Sequence, residues 1–160
     1  MAAYSDSSQR KLDTAHHDLQ LIFNEVVRIF DNTILYGNRS VAYQFDLYKQ
    51  GRAKDDNGKW VIVDKSKVVT YCDGTKNKSK HNYTPSKAVD AVPYYTTIPH
   101  IRWKDTDRMY YFAGHVKAIA IVLKTQGRIT HDIKFGGDWD DDTEVKDQTF
   151  MDLAHFEIIN

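Results

Sequence analysis

Two short stretches far apart in the chain hold the residues best suited to chemistry. The first is Ser79-Lys80-His81-Asn82-Tyr83-Thr84-Pro85-Ser86-Lys87-Ala88-Val89-Asp90. The second is Asp152-Leu153-Ala154-His155-Phe156-Glu157, close to the C-terminus. Between them they offer two histidines, a carboxylate to complete a metal site, and a further carboxylate three residues before the last histidine. A catalytic zinc site takes three nitrogen or oxygen ligands and leaves the fourth position to water. It also needs a nearby base to take a proton from that water. On this reading His81, Asp90 and His155 hold a zinc ion and Asp152 is the base. His81 and Asp90 alone are weak evidence, since most such pairs are surface residues; the second stretch is what makes a site of them.

The elements that must position these residues follow from periodicity. Leu12, Ala15, Leu19, Ile22, Phe23, Val26 and Ile29 recur at helical spacing and predict one helix over 5–30, capped by Ser7 or Ser8 and ended by Asp31-Asn32. His16 and His17 on it are adjacent, so they cannot share a face, and solvated or capping roles are expected. Thr33-Ile34-Leu35-Tyr36 predicts a short strand closed by Gly37-Asn38. Arg39 follows at the corner, then Ser40 as a cap and a helix to about Gln50 with Val41, Phe45 and Tyr48 on one face. An arginine at such a corner either aims its fork at a carboxylate or carbonyl oxygen, or forms a surface ion pair.

Residues 52–78 are polar and turn-rich. Asp55-Asp56-Asn57-Gly58 leads into a strand at Trp60-Val61-Ile62-Val63, and Val68-Val69-Thr70-Tyr71 is a second β-rich run. Lysines 76, 78 and 80 make a basic patch, either a solvated loop or an attraction for an anionic polymer. Ala88 to Tyr94 alternates as a core strand with Asp90 opposite Val89 and Ala91, and Pro93 ends its ladder. Asp105 or Thr106 starts a helix to about Gln126, closed by Gly127, with Phe112, Val116, Ile119, Ala120 and Leu123 as its apolar stripe. His115 flanks that stripe and reads as structural. Ile129 to Phe135 contains another strand. In the loop from Asp138 to Glu144, carboxylates at every second residue match the spacing of oxygen ligands in calcium loops, and match a solvated acidic turn as well. His155 to Ile159 alternates as the last strand: Phe156 and Ile158 on one face, His155, Glu157 and Ile159 on the other.

Composition bounds what the protein does. The 160 residues suffice for one substantial core, with 41% hydrophobic and 28% charged residues. Lys plus Arg and Asp plus Glu are 22 each, and this balance argues against a nucleic-acid protein. Cys72 is alone, so an internal disulfide and a cysteine-based zinc site are both excluded, which fits a reducing cytosol. No apolar run approaches a membrane span, and the N-terminus lacks the pattern of a secretory signal, so no membrane insertion is expected.

Taken together the motifs resemble the D-alanyl-D-alanine carboxypeptidase / L-alanyl-D-glutamate endopeptidase family of zinc peptidases, the VanY-like or M15 group. In particular the chain is similar to the small single-domain phage endolysins of that group. The family pattern is serine-x-histidine, an aspartate on a strand, then an acidic residue shortly before a final histidine: here Ser79, His81, Asp90, Asp152 and His155. Tyr36 to Gln44 resembles the family's glycine-x-arginine-serine/threonine corner, and Phe135-Gly136-Gly137-Asp138-Trp139 a recurrent segment. The resemblance runs from about residue 33 to 160. The interval from His81 to Asp90 is two residues longer than in many relatives, and Asp152 stands where carboxypeptidase branches often carry glutamate.

The resemblance implies hydrolysis of an amide in the peptidoglycan stem peptide. Zinc would be held by His81, Asp90 and His155, Asp152 would move the proton, and Arg39 would bind substrate carboxylate or the oxyanion. Glu157 would orient a ligand ring, or is an exposed strand carboxylate. An L-alanyl-D-glutamate endopeptidase is expected, with a D,D-carboxypeptidase or a zinc-stabilised binding module as alternatives. Such an endolysin would be made in the host cytoplasm and reach the wall through a holin; a monomer is expected. Elements and resemblance together imply an α+β fold: one domain over 1–160, a small antiparallel sheet carrying the zinc site, and about three helices around it, with the N-terminal helix (1–32) packed on the rest.

Overall fold

The computed structural model describes residues 2–145 and 147–159. Its frame is a four-stranded antiparallel sheet in the order β1-β4-β6-β5, built from β1 (Asn32–Tyr36), β4 (Ala88–Pro93), β5 (Asp132–Phe135) and β6 (His155–Ile159). The alternation read in the sequence decides which face is which. Ile34, Val89, Ala91, Ile133, Phe135, Phe156 and Ile158 enter the core, where Phe156 packs edge-on against Phe23 and Phe112. Asp90, His155 and Glu157 point the other way. Register places Asp90 opposite His155. Directly opposed residues on neighbouring strands share a face at close range, so pairing of β4 with β6 alone brings two distant residues together.

The helices are α1 (Asp6–Leu12), α2 (His17–Val26), α3 (Val41–Lys49) and α4 (Thr106–Thr125). α2 and α4 cover the apolar face of the sheet through Leu19, Ile22, Phe23, Val26, Phe112, Val116 and Leu123. A hairpin of β2 (Arg52–Lys54) and β3 (Trp60–Ile62) stands apart as a second, two-stranded sheet. This is the expected α+β architecture, with three departures from the sequence reading.

The helix expected over 5–30 is two helices. Between them Ala15 forms a parallel bridge with Ser86: His16 N donates to Ser86 O at 2.8 Å and Ser86 N to Thr14 O at 2.9 Å. Those backbone groups are committed to another segment, so the helical ladder stops and restarts. Ser5, not Ser7 or Ser8, caps α1, and the His16 ring accepts from Asp18 N to cap α2, the capping role expected for it. Beyond Val26 the chain turns, leaving Ile29 exposed.

On α3 the buried residue is Gln44, not the stripe of Val41, Phe45 and Tyr48. Val68 to Tyr71 is not a strand; it is an extended wall segment held by side chains. His115 is structural as expected: its Nδ1 bonds Tyr111 O at 2.9 Å and its ring packs on Phe30. Among the described residues no helix is long and apolar enough to cross a membrane.

Candidate metal centre

His81 sits in a single 3₁₀ turn, Lys80–Asn82, with Ser79 as its cap. The Ser79 hydroxyl accepts from His81 N while the Asn82 side chain accepts from Ser79 N, a reciprocal cap that fixes the turn. The ring is 1% exposed and its Nδ1 lies 2.7 Å from Gly37 O. A carbonyl only accepts, so Nδ1 carries the hydrogen and Nε2 presents a lone pair. Gly37 is itself set tightly against the end of α1, where a Cβ would stand 2.2 Å from Lys11 O.

His155, first residue of β6, is oriented by the same logic. Its Nε2 lies 3.0 Å from Glu157 Oε2, which takes the hydrogen and leaves the Nδ1 lone pair facing inward. Asp90 Oδ2 is held by Arg39 at 2.8 Å, so Oδ1 is the free acceptor. Three lone-pair atoms then converge. His81 Nε2 is 2.9 Å and His155 Nδ1 3.1 Å from Asp90 Oδ1, and the two nitrogens are 3.2 Å apart.

Three lone pairs in a triangle repel unless a positive charge joins them. Ligand atoms bound to one zinc ion at about 2.1 Å stand roughly 3.4 Å apart at tetrahedral angles, close to the triangle's sides. The donor set therefore fits a metal ion: the His81, Asp90 and His155 atoms can all reach one centre, and all three residues are buried. The electrostatics say the same. Burial alone would raise the Asp90 carboxyl, but the two imidazoles outweigh it and hold Asp90 well below the usual carboxylate range. Burial alone would lower His155; its bonds to Asp90 and Glu157 outweigh that and push it up to about 9. The site favours positive charge at His155 Nδ1, a demand that a proton or a metal ion can meet.

Asp152 and Arg39 line the same open cavity, of about 530 Å³, as the triangle. Burial, then the charge of Asp90, raise the Asp152 carboxyl above its ordinary value. Its backbone is pinned: Asp152 N donates to Gly136 O at 2.8 Å and His155 N to Asp152 O at 3.0 Å. A Cβ on Gly136 would meet Asp152 O at 2.3 Å, so the Gly136-Gly137 corner is what lets β5 close onto the Asp152 turn.

Arg39 aims its fork at a carboxylate, the first of the two outcomes its corner allowed, and not at the surface: it forms a mostly buried pair with Asp90, its second arm donating to Gln44 Oε1 at 3.1 Å, and its guanidinium 4.9 Å from the Tyr36 ring. Gln44, wholly buried, was missed. Its amide donates to Thr70 Oγ1 and Cys72 O at 3.2 and 3.0 Å, hanging the 70–72 wall of the cleft on the group that holds Asp90. No periodicity marks a polar residue as buried; only the tertiary contacts do.

Three other clusters are present among the described residues, two of them in the acidic region and sharing Asp142 (Asp138, Asp140, Asp142 and Asp142, Glu144, Asp147). His16, Asp18 and His131 gather at the start of α2, where one Asp18 oxygen accepts from Thr130 N, His131 N and His131 Nδ1. That bond set ties the approach to β5 onto α2. In the acidic loop, carboxylates of Asp138, Asp140 and Asp142 come within 4.8 Å of one another, as exposed acidic groups commonly do without an ion.

An α+β domain presents a buried His-Asp-His cluster, able to hold a metal ion, to an open cleft with a carboxylate and an arginine beside it. Comparison with known proteins gives that class a family. The model of the phage L-alanyl-D-glutamate peptidase family matches residues 1–159, and the chain belongs to that family. It is a peptidase. Its fold is similar to that of the Serratia marcescens L-Ala D-Glu endopeptidase ChiX in a crystal structure, at 18% identity and a TM-score of 0.62 over 98% of this chain and 89% of that one. No curated protein matches it.

Proposed function

We propose that the protein is a zinc peptidase that hydrolyses the L-alanyl-D-glutamate bond of the peptidoglycan stem peptide, and that it serves a phage in host lysis. The whole chain, 1–160, acts as one catalytic domain with its N-terminal helices packed on the sheet. His81, Asp90 and His155 hold the zinc. The observation that carries this is the triangle of three buried lone-pair atoms, each oriented by a named partner, on the floor of a cleft in a chain of this family.

When bound, zinc supplies a Lewis acid and a water molecule acidic enough to ionise near neutral pH. Asp152 takes the proton of the attacking water and delivers it to the leaving amine. Its raised carboxyl suits that task, because a carboxylate shifted toward the working pH takes up a proton more readily than an ordinary one and can still give it back. Arg39 holds Asp90 by Oδ2 so that Oδ1 faces the histidines, and Glu157 fixes the tautomer of His155. The walls carry Tyr36, Tyr43, Tyr71, Trp139 and Phe150, flat faces suited to an extended peptide.

A digest of purified peptidoglycan, read by mass spectrometry with and without chelator, tests the reading. Fragments with a new N-terminal D-glutamate, abolished by chelation and restored by zinc, are expected. Free D-alanine would make the protein a D,D-carboxypeptidase. No cleavage by folded, zinc-loaded protein would leave a binding module.

A further inference from the structure

The three cations that line the cleft are not equivalent. Arg39 is committed to Asp90 and Gln44. Lys78 is exposed, with its ammonium 5.7 Å from the centre of the Tyr83 ring. Lys80 is half-buried; its charge helps lower the Glu157 carboxyl, but among the described residues it forms no ion pair. Its backbone is rigid: it follows the cap Ser79, precedes His81, and its carbonyl accepts from Lys87 N at 3.0 Å. The root of its side chain is therefore fixed one residue from the metal cluster.

Lys80 also lines a second, smaller cavity of about 170 Å³, with Lys87, His131, Ile158 and Ile159. Among the described residues no carboxylate side chain lines that space. The acid closest in function, Glu157, is already bonded to His155 Nε2 at 3.0 Å. A half-buried lysine that lines two cavities, with Glu157 as an acidic neighbour but no ion pair among the described residues, has room for an anionic ligand.

The substrate read for this cleft carries such an anion. The scissile bond joins alanine to the amino group of D-glutamate. Glutamate has two carboxyl groups, and only one continues the peptide. The other stays a few bonds from the scissile nitrogen, either free or amidated. We propose that Lys80 is a specificity-determining residue that binds this free carboxylate, so that the protein selects the acid over the amidated peptide. The inference rests on the endopeptidase reading of the same cleft.

The test uses two synthetic stem peptides, alike except that the second carboxyl of the D-glutamate is free in one and a carboxamide in the other. Wild type should cleave the acid with a kcat/KM at least about 10-fold above the amide, mostly through KM, the scale of one charge-assisted hydrogen bond. Lys80→Met, which keeps most of the volume, should bring the ratio close to 1, and Lys80→Arg should keep most of it. A wild type without preference, or a Lys80→Met variant that retains it, overturns the proposal. Calorimetry with Asp152→Asn, with and without Lys80→Met, separates this from the parent reading. If wild type cleaves neither peptide, the endopeptidase reading fails. Tighter binding of the acid peptide, lost with Lys80→Met, would still support the subsite, and equal binding of both peptides would sink it.

Discussion

Asp90 has two oxygens, and the fold gives each a different task. Oδ2 belongs to Arg39; Oδ1 belongs to the histidines. Asp152 lies in the same cavity, where burial and the charge of Asp90 outweigh the pull of the histidines, so its carboxyl is raised where that of Asp90 is held low. On the proposed reading, two carboxylates pushed in opposite directions would give one site a permanent anion and a proton carrier. Asp152→Asn should therefore keep zinc at full occupancy and lower kcat by about 10²–10⁴. Metal analysis beside single-turnover rates checks this, and loss of the metal would make Asp152 a ligand. His155→Ala should lose the metal in a protein that still folds; full zinc occupancy in that variant would remove His155 from the ligand set. Gln44→Leu leaves Cys72 O and one arm of Arg39 without partners, so it should cost about 1–3 kcal/mol of stability. Because the effect passes through Arg39, zinc affinity should fall with it. A variant destabilised with unchanged zinc affinity would restrict Gln44 to the cleft wall.

At the scale of elements, the parts legible in the sequence are those whose period is enforced by the core. β4 and β6 alternate because one face meets Phe23 and Phe112, so the placing of Asp90 and His155 on the opposite face followed from pattern alone. The 5–30 helix was misread because an apolar stripe continues through Thr14-Ala15-His16, while the backbone there is taken by Ser86, a partner seventy residues on that no local pattern announces. The Asp18 bonds are of the same kind: they join α2 to Thr130 and His131. Burial alone would raise the Asp18 carboxyl, but the bonds from His131 and Thr130 outweigh it and bring it from 3.8 down to about 2. A carboxyl lowered on folding stabilises the protein above its unfolded value, and that stabilisation is lost as pH falls through its folded value. Asp18→Asn should thus lower the urea midpoint at pH 7, and the gap to wild type should close between about pH 4 and pH 2. A gap that stayed constant across that range would mean that Asp18 acts by packing and not by charge.

For the whole molecule, the site lies where long-range pairings meet. His81 comes from the 3₁₀ turn before β4, Asp90 and His155 from the central strands, and Arg39 from the β1–α3 corner. Unfolding separates all of them, so an unfolded chain has no preformed site, and an ion bound there stabilises the folded state. At free zinc one hundred times the dissociation constant the gain is about 2.7 kcal/mol. For a chain of this length that corresponds to a rise in Tm of roughly 5–11 °C. Chelator-treated protein should melt lower by that amount and recover as zinc is added, with the rise following the logarithm of the free ion. The His155→Ala variant should show no such rise, because two remaining ligand atoms cannot hold the ion against solvent. A zinc-dependent rise that survived in that variant would place the stabilising ion elsewhere in the molecule, and the acidic loop from Asp138 to Glu144 would then have to be tested in the same way with calcium.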